Sequence, residues 1–198
     1  MHSIYLKTDK KDTFVGEPSG IKLRKENDCL LLGTSKGIAM NYKRMDSSSV
    51  VLNSSMLWIM GGTGSLGSEG STEFVTTERT VNGPPLREPV TWHCSVIFPG
   101  NRNVYLIGGA KTQSTKEIST NKVWVANPSN EFTFAQGPSL ITSRVMHMCG
   151  IMSIGAKSII VAAGGWNLPG NDAPGIPLTS VEILNPLSNQ WVAGEIVT

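Results

Sequence analysis

Apolar residues in this chain fall into short runs separated by stretches rich in Gly, Ser, Thr, Asn and Pro. Three runs end in a glycine pair: Met56-Leu57-Trp58-Ile59-Met60-Gly61-Gly62, Val104-Tyr105-Leu106-Ile107-Gly108-Gly109 and Ile159-Ile160-Val161-Ala162-Ala163-Gly164-Gly165. The pairs recur at about 50 residues, the mark of a repeated supersecondary unit. Upstream landmarks keep the register: Arg44-Met45-Asp46-Ser47, Val90-Thr91-Trp92-His93 and Arg144-Val145-Met146-His147 stand at one place in successive units. Downstream, Val123-Trp124-Val125-Ala126-Asn127-Pro128 aligns without a gap on Val181-Glu182-Ile183-Leu184-Asn185-Pro186. An aromatic then precedes a glycine by the same interval, as Phe134 to Gly137 and Trp191 to Gly194.

The pattern within one unit predicts strands. In the second they are Cys94 to Phe98, Val104 to Ile107, Lys122 to Ala126 and Phe132 to Ala135, each too short for a helix and rich in Val, Ile, Tyr, Phe and Trp. A four-stranded antiparallel sheet with two apolar faces cannot bury both alone, so neighbouring units must stack. The expected fold is all-β, a partial β-propeller of about three four-stranded blades over 44–89, 90–143 and 144–198, preceded by an irregular segment 1–43 that caps the array or forms a divergent blade. Within that segment, Cys29 to Gly33 and Ile38 to Met40 have strand character. Trp58, Trp92, Trp124 and Trp191 fall in strand slots and are expected in the core, their indole nitrogens needing acceptors.

Composition narrows the picture only slightly. At 39% hydrophobic and 16% charged over 198 residues, the chain resembles an ordinary soluble domain. Nothing approaches the roughly 20 apolar residues of a membrane span, and Met1 to Asp12 is too polar for a secretory signal, so the expected location is cytoplasmic. Cys29, Cys94 and Cys149 suggest no paired framework. With His93 aligned on His147, Cys94 falls on the opposite strand face from Cys149, and reduced thiols are expected. The net charge of +2 comes from residues 1–46, with nine Lys or Arg against six Asp or Glu, but mixed signs and absent aromatics argue against a nucleic-acid tail.

These landmarks resemble the Kelch repeats: an Arg-x-x-His entry, an apolar strand ending in Gly-Gly, a Val-x-Val-x-x-Pro strand and a late Trp, from Arg44 to Thr198. The pattern is degraded, with Ser47 in place of His, Thr80 near the first Trp slot, Phe134 for Trp in the second unit, and Ala126 or Leu184 for the usual Tyr. The resemblance implies a β-propeller scaffold. In relatives with a preceding BTB domain it implies an adaptor for cullin ubiquitin ligases, although no BTB-like helical domain fits before Arg44.

Several motifs compete with that reading. Gly62-Thr63-Gly64-Ser65-Leu66-Gly67 is a formal Gly-x-Gly-x-x-Gly, which would make the chain an NAD(P)-binding oxidoreductase. A dinucleotide loop needs a helix next, and Ser68 to Thr77 is glycine-broken and β-branched instead. His93 with Cys94 and His147 with Cys149 have soft-ligand chemistry, yet their recurrence follows from repetition, and a structural zinc site needs four ligands. The tyrosine set of a copper-radical oxidase is missing, Tyr105 being alone within the repeats. Arg44 and Arg144 are expected to tie one blade to the next through backbone carbonyls.

The stretches after each glycine pair, Thr63 to Thr72, Ala110 to Asn121 and Trp166 to Thr179, would share one rim if the units are adjacent blades. Their Ser, Thr, Asn and Gly content suits adaptable hydrogen bonding. The sequence therefore predicts a non-enzymatic module, without metal or cofactor, binding a protein partner through Glu69, Thr112, Lys116, Trp166, Asn167 and Asp172. Three blades fall short of the 4 to 8 that typically close a propeller. The chain is expected to be part of a longer product, with closure by a second copy or capping by the N-terminal segment as the alternatives.

Overall fold

A computed structural model describes residues 21–26, 29–34, 38–155, 157–170, 173–185 and 188–194. The chain divides into two compact units between Ala39 and Met40. In the first, β1 (Ile21–Glu26) pairs antiparallel with β2 (Cys29–Thr34). The expected strand from Cys29 is thus present, whereas residues 38–40 carry none.

The second unit is three four-stranded antiparallel sheets, each interrupted by a small hairpin. The first blade holds β3 (Ser48–Asn53), β4 (Met56–Met60), the hairpin β5 (Thr63–Gly64) and β6 (Gly67–Ser68), then β7 (Thr72–Thr76) and β8 (Thr80–Asn82). The second holds β9 (Cys94–Ile97), β10 (Val104–Ile107), the hairpin β11 (Ala110–Gln113) and β12 (Lys116–Ser119), then β13 (Val123–Ala126) and β14 (Phe134–Gln136). The third holds β15 (Met148–Ile154), β16 (Lys157–Ala163), the hairpin β17 (Trp166–Asn167) and β18 (Ile176–Pro177), then β19 (Val181–Asn185) and β20 (Gln190–Gly194). Strand order runs β3-β4-β7-β8, β9-β10-β13-β14 and β15-β16-β19-β20, the same meander each time. Among the described residues there is no α-helix, only a 3-10 turn at Pro128–Asn130 where Asn127-Pro128 breaks the ladder.

Each strand alternates between two faces, and each inner face is buried by the next blade. Trp58, Met60 and Val50 of the first blade meet Val104, Leu106, Ala126 and Phe134 of the second, with Phe74 and Phe132 stacked or edge-on against Trp58. Val96, Tyr105, Ile107 and Val123 of the second meet Ile160, Ala162, Leu184 and Trp191 of the third. The degraded late-Trp slots hold their register, since Thr80, Phe134 and Trp191 pair respectively with Val75, Ala126 and Leu184.

The glycine pair has a packing reason. A Cβ on Gly61 would meet the Val90 carbonyl oxygen at 2.5 Å and His93 Cε1 at 2.8 Å; on Gly108 it would meet the Arg144 oxygen at 2.7 Å and His147 Cε1 at 3.0 Å. The second glycine makes room within its own blade, where a Cβ on Gly109 would lie 2.8 Å from His93 Cβ and one on Gly165 would lie 2.8 Å from His147 Cβ. Each histidine is therefore seated between the first glycine of one blade and the second glycine of the next.

Three expectations need correction. Trp92 lies outside any strand, in a left-handed bend at φ 53°. The guanidinium of Arg144 stays within its own blade, donating to the Gly164 and Ser180 carbonyls (2.8 and 3.2 Å), Ser180 Oγ (3.1 Å) and Glu182 Oε1 (2.6 Å). Arg44 repeats this with Gly61, Ser71 and Glu73 (2.7, 2.8 and 3.0 Å). What reaches the preceding blade is the backbone carbonyl at this position: Gly109 N–H donates to Arg144 O at 2.8 Å, and Gly62 N–H to Val90 O at 2.9 Å. Finally, Cys94 and Cys149 form a disulfide with Cα atoms 5.9 Å apart. Opposite faces of equivalent strands are the surfaces that confront each other in stacked blades, so the register that argued against pairing is the one that permits it. Ser48 and Ser95, one blade earlier, hydrogen-bond through their hydroxyls at the same pair of positions.

Candidate functional site

The three small hairpins form one ridge. Each is anchored to the entry segment of its own blade by a bridge, Met45 to Thr63, Thr91 to Ala110 and Val145 to Trp166. First and second hairpins are joined by Ser68 N–H to Thr112 Oγ1 (2.7 Å) and Thr112 N–H to Ser68 Oγ (2.9 Å). Second and third are joined by Ser119 N–H to Leu168 O (3.0 Å), Leu168 N–H to Ser119 Oγ (3.0 Å) and Ser119 Oγ to Asn167 Oδ1 (3.1 Å). Small side chains make this approach possible, for a Cβ on Gly67 would fall 2.5 Å from Thr112 Oγ1 and one on Gly170 would fall 2.6 Å from Ile118 Cγ1.

Of the residues chosen from sequence, Thr112 and Asn167 sit at the two joints of this ridge. Thr112 also donates to Glu117 Oε1 at 2.7 Å. Glu69 is occupied locally, its Oε1 accepting the amides of Gly70 and Ser71 at 2.9 and 2.8 Å. Lys116 stands exposed at the start of β12, and Trp166 is 45% exposed at the start of β17. Asp172 lies outside the described residues. Sequence reading missed Leu66, 98% exposed at the tip of the first hairpin, and Ile176, 56% exposed on β18. A polar loop with a single leucine between Ser65 and Gly67 carries the only sequence signal for the former.

Two open clefts lie against the second hairpin. One of about 330 Å³ is lined by Gln113, Thr115, Lys116, Ile118 and Gly170; the other, of about 410 Å³, by Lys111, Thr112, Ser119, Asn121 and Ser143. Nearby, Lys111 and Lys122 both pair with Glu88. Burial alone would raise the Glu88 pKa, but hydrogen bonds and charge from the two ammonium groups outweigh it and hold the carboxyl below its ordinary range.

Behind the ridge the entry segments form a stepped backbone chain. Trp92 N–H donates to Asp46 O at 3.2 Å and Met146 N–H to Trp92 O at 2.9 Å. Asp46, Trp92 and Met146 are all left-handed, at φ 55°, 53° and 52°, a conformation that costs a non-glycine residue about 1–3 kcal/mol and is held here by the surrounding ladders. Next to them His93 and His147 are buried, and neither ring makes a side-chain hydrogen bond of ordinary geometry among the described residues. Burial pushes the His93 pKa down to about 3, helped by the His147 charge and opposed by a contact to the Met60 backbone; burial and then Arg144 push His147 down to about 4. Both imidazoles are neutral packing groups at pH 7.

Gly62 to Gly67 is the turn of the first hairpin, and strand β7 follows it. No helix N-terminus stands there to hold a pyrophosphate. Among the described residues, no three His, Cys, Asp or Glu side chains converge as metal ligands. Among the described residues, no helix is long and apolar enough to cross a membrane. No protein-family model and no curated protein matches this chain.

Proposed function

We propose that this chain is a Kelch-type repeat scaffold that carries no chemistry of its own and binds a protein partner through the hairpin ridge. The observation that carries the reading is the hydrogen-bonded continuity of the ridge across three blades, which brings distant parts of the sequence into one strip. Leu66, Trp166 and Ile176 supply apolar anchors on that strip, flanked by Thr112, Lys116 and Asn167 for polar contact. An adaptor role, in which the ridge holds one protein while another part of an assembly acts on it, follows from the Kelch resemblance.

The test places a photo-crosslinking residue at Lys116 and, as a control, at Val51 on the opposite side of the first blade. A protein captured from position 116, absent from position 51, and lost in the Trp166→Ala variant supports the reading. Equal capture from both positions removes the ridge from consideration, and saturable NAD(P) binding in a parallel titration would overturn the choice of a non-enzymatic module. The compartment is tested separately. A cytoplasmic location, as expected from sequence, requires Cys94 and Cys149 to be found as free thiols in protein isolated under thiol-trapping conditions, since cytosolic glutathione keeps such pairs reduced.

A further inference from the structure

The sequence holds one Asn-x-Ser/Thr tripeptide whose middle residue is not proline, Asn53-Ser54-Ser55, the acceptor pattern for N-linked glycosylation. A tripeptide alone says little, and its place in the fold decides what it can do. Here Ser54 and Ser55 form the tight turn between β3 and β4, Asn53 pairs with Met56 across it, and all three residues are exposed. Asn53 Oδ1 accepts the Ser55 amide at 2.9 Å and the Ser55 hydroxyl at 3.0 Å. Neither bond uses Nδ2, the atom that takes a glycan, and a turn open to solvent has room for so bulky a group.

The second blade supplies a comparison. In its β9–β10 turn, Asn101 Oδ1 accepts the Asn103 amide at 3.0 Å, so an asparagine bonded to the backbone two residues on is what such a turn uses. Position 103 has no hydroxyl. The turn therefore does not need the Ser55 hydroxyl, which is the group that makes the first of the two an acceptor sequence. An independent observation bears on the compartment. N-linked acceptor sites belong to secreted chains, and disulfides form and persist in the same oxidising surroundings. Cys94 and Cys149 are joined between the second and third blades, with no residue in common with the Asn53 turn. Both features ask for one environment, against the cytoplasmic expectation.

We infer that Asn53 is an N-linked glycan acceptor and that the chain passes through an oxidising secretory compartment. In the transfer, Asn53 Nδ2 forms a bond to the anomeric carbon of an oligosaccharide carried on a lipid pyrophosphate. The anomeric C–O bond breaks, the lipid pyrophosphate leaves with the electron pair, and Nδ2 releases one proton. Nothing is oxidised or reduced. The transferase and the sugar donor belong to the compartment, and this chain is their substrate. The position also suits a binding scaffold. Strand β4 starts beside the sequon at Met56 and ends at Met60, just before Gly61-Gly62 and the first hairpin. A glycan on Asn53 thus stands at the far end of the blade from the ridge, roughly 17 Å away for a strand of this length. It covers that end and leaves the ridge open, whatever the ridge binds.

The test expresses the chain from its own gene in eukaryotic cells and digests it with peptide N-glycosidase in heavy-oxygen water, with thiol trapping of the same preparation. The expected result is faster gel migration after digestion, with Asn53 recovered as aspartate carrying the heavy oxygen. Ser55→Ala keeps the amide donor of the turn, and so the fold, but should lose the mobility shift completely. Ser55→Thr should retain it, and Asn101 should stay unlabelled. Unlabelled Asn53 in a chain whose Cys94–Cys149 bond has formed overturns the acceptor assignment. Unlabelled Asn53 with both thiols free overturns the compartment as well, and a shift that survives Ser55→Ala would put the glycan on another residue and end the proposal.

Discussion

Arg144 and Glu182 show how a single position can be solved in two ways. Their side chains are 0% and 3% exposed, and Arg44 with Glu73 are both at 0%. In the second blade the corresponding residues are Val90 and Trp124, both apolar, so the charge and its partner are exchanged together and no buried ion is left alone. Arg144→Ala should therefore lower stability by about 3–5 kcal/mol, the cost of stranding Glu182. Adding Glu182→Met to Arg144→Met should recover most of that loss, short of the acceptor that Glu182 provides to the Ile141 and Thr142 amides at 2.6 and 3.0 Å. Urea midpoints of the two variants check this. The pairing was legible in sequence: at one register the units that begin with Arg carry Ser-x-Glu, as Ser71 to Glu73 and Ser180 to Glu182, where the second unit has Lys122 to Trp124. Reading the arginines one at a time concealed it.

The histidines give a residue-scale prediction in pH. Both are held below the ordinary 6.5, at about 3 for His93 and about 4 for His147, so the unfolded chain takes up protons first as pH falls. Their contribution is complete above about pH 6.5 and is lost from there down to about 4 for His147 and about 3 for His93, on the order of 2 kcal/mol per imidazole by pH 5. Urea midpoints at pH 7 and pH 5 should differ more in the native chain than in His147→Leu. An equal difference would mean that His147 is solvated in the folded state.

Among elements, the long apolar strands were legible and the hairpins of the ridge were not. Val104 to Ile107 was placed residue for residue by its β-branched and aromatic run before a glycine pair. Pairs such as Thr63–Gly64 with Gly67–Ser68 are too short and too polar to stand out from a loop, and they exist because each leans on its neighbour. Gly67→Ala tests that dependence, since its Cβ would strike Thr112 and its φ of 107° suits only glycine. The expected outcome is faster hydrogen exchange at the Ser68 and Thr112 amides with no change in Trp58 fluorescence. Unchanged exchange would show that the hairpins stand independently. The disulfide was missed for a related reason, because a one-residue offset was judged within a single sheet when the contact runs between two.

For the molecule as a whole, periodicity gave the number and order of the blades, since three copies of one grammar admit few arrangements. It could not give how far each blade covers the next, which depends on the packing of side chains between sheets. The central claim is that successive blades repeat one stacking geometry, so a contact seen between two of them must exist between the others. Ser48 and Ser95 hold the positions of Cys94 and Cys149, one blade earlier. Replacing both, as Ser48→Cys with Ser95→Cys in a Cys29→Ser background, should yield a second intramolecular disulfide, mapped by peptide mass spectrometry and raising stability by about 2–4 kcal/mol. Free thiols at positions 48 and 95 in a folded, oxidised chain would contradict the stacking.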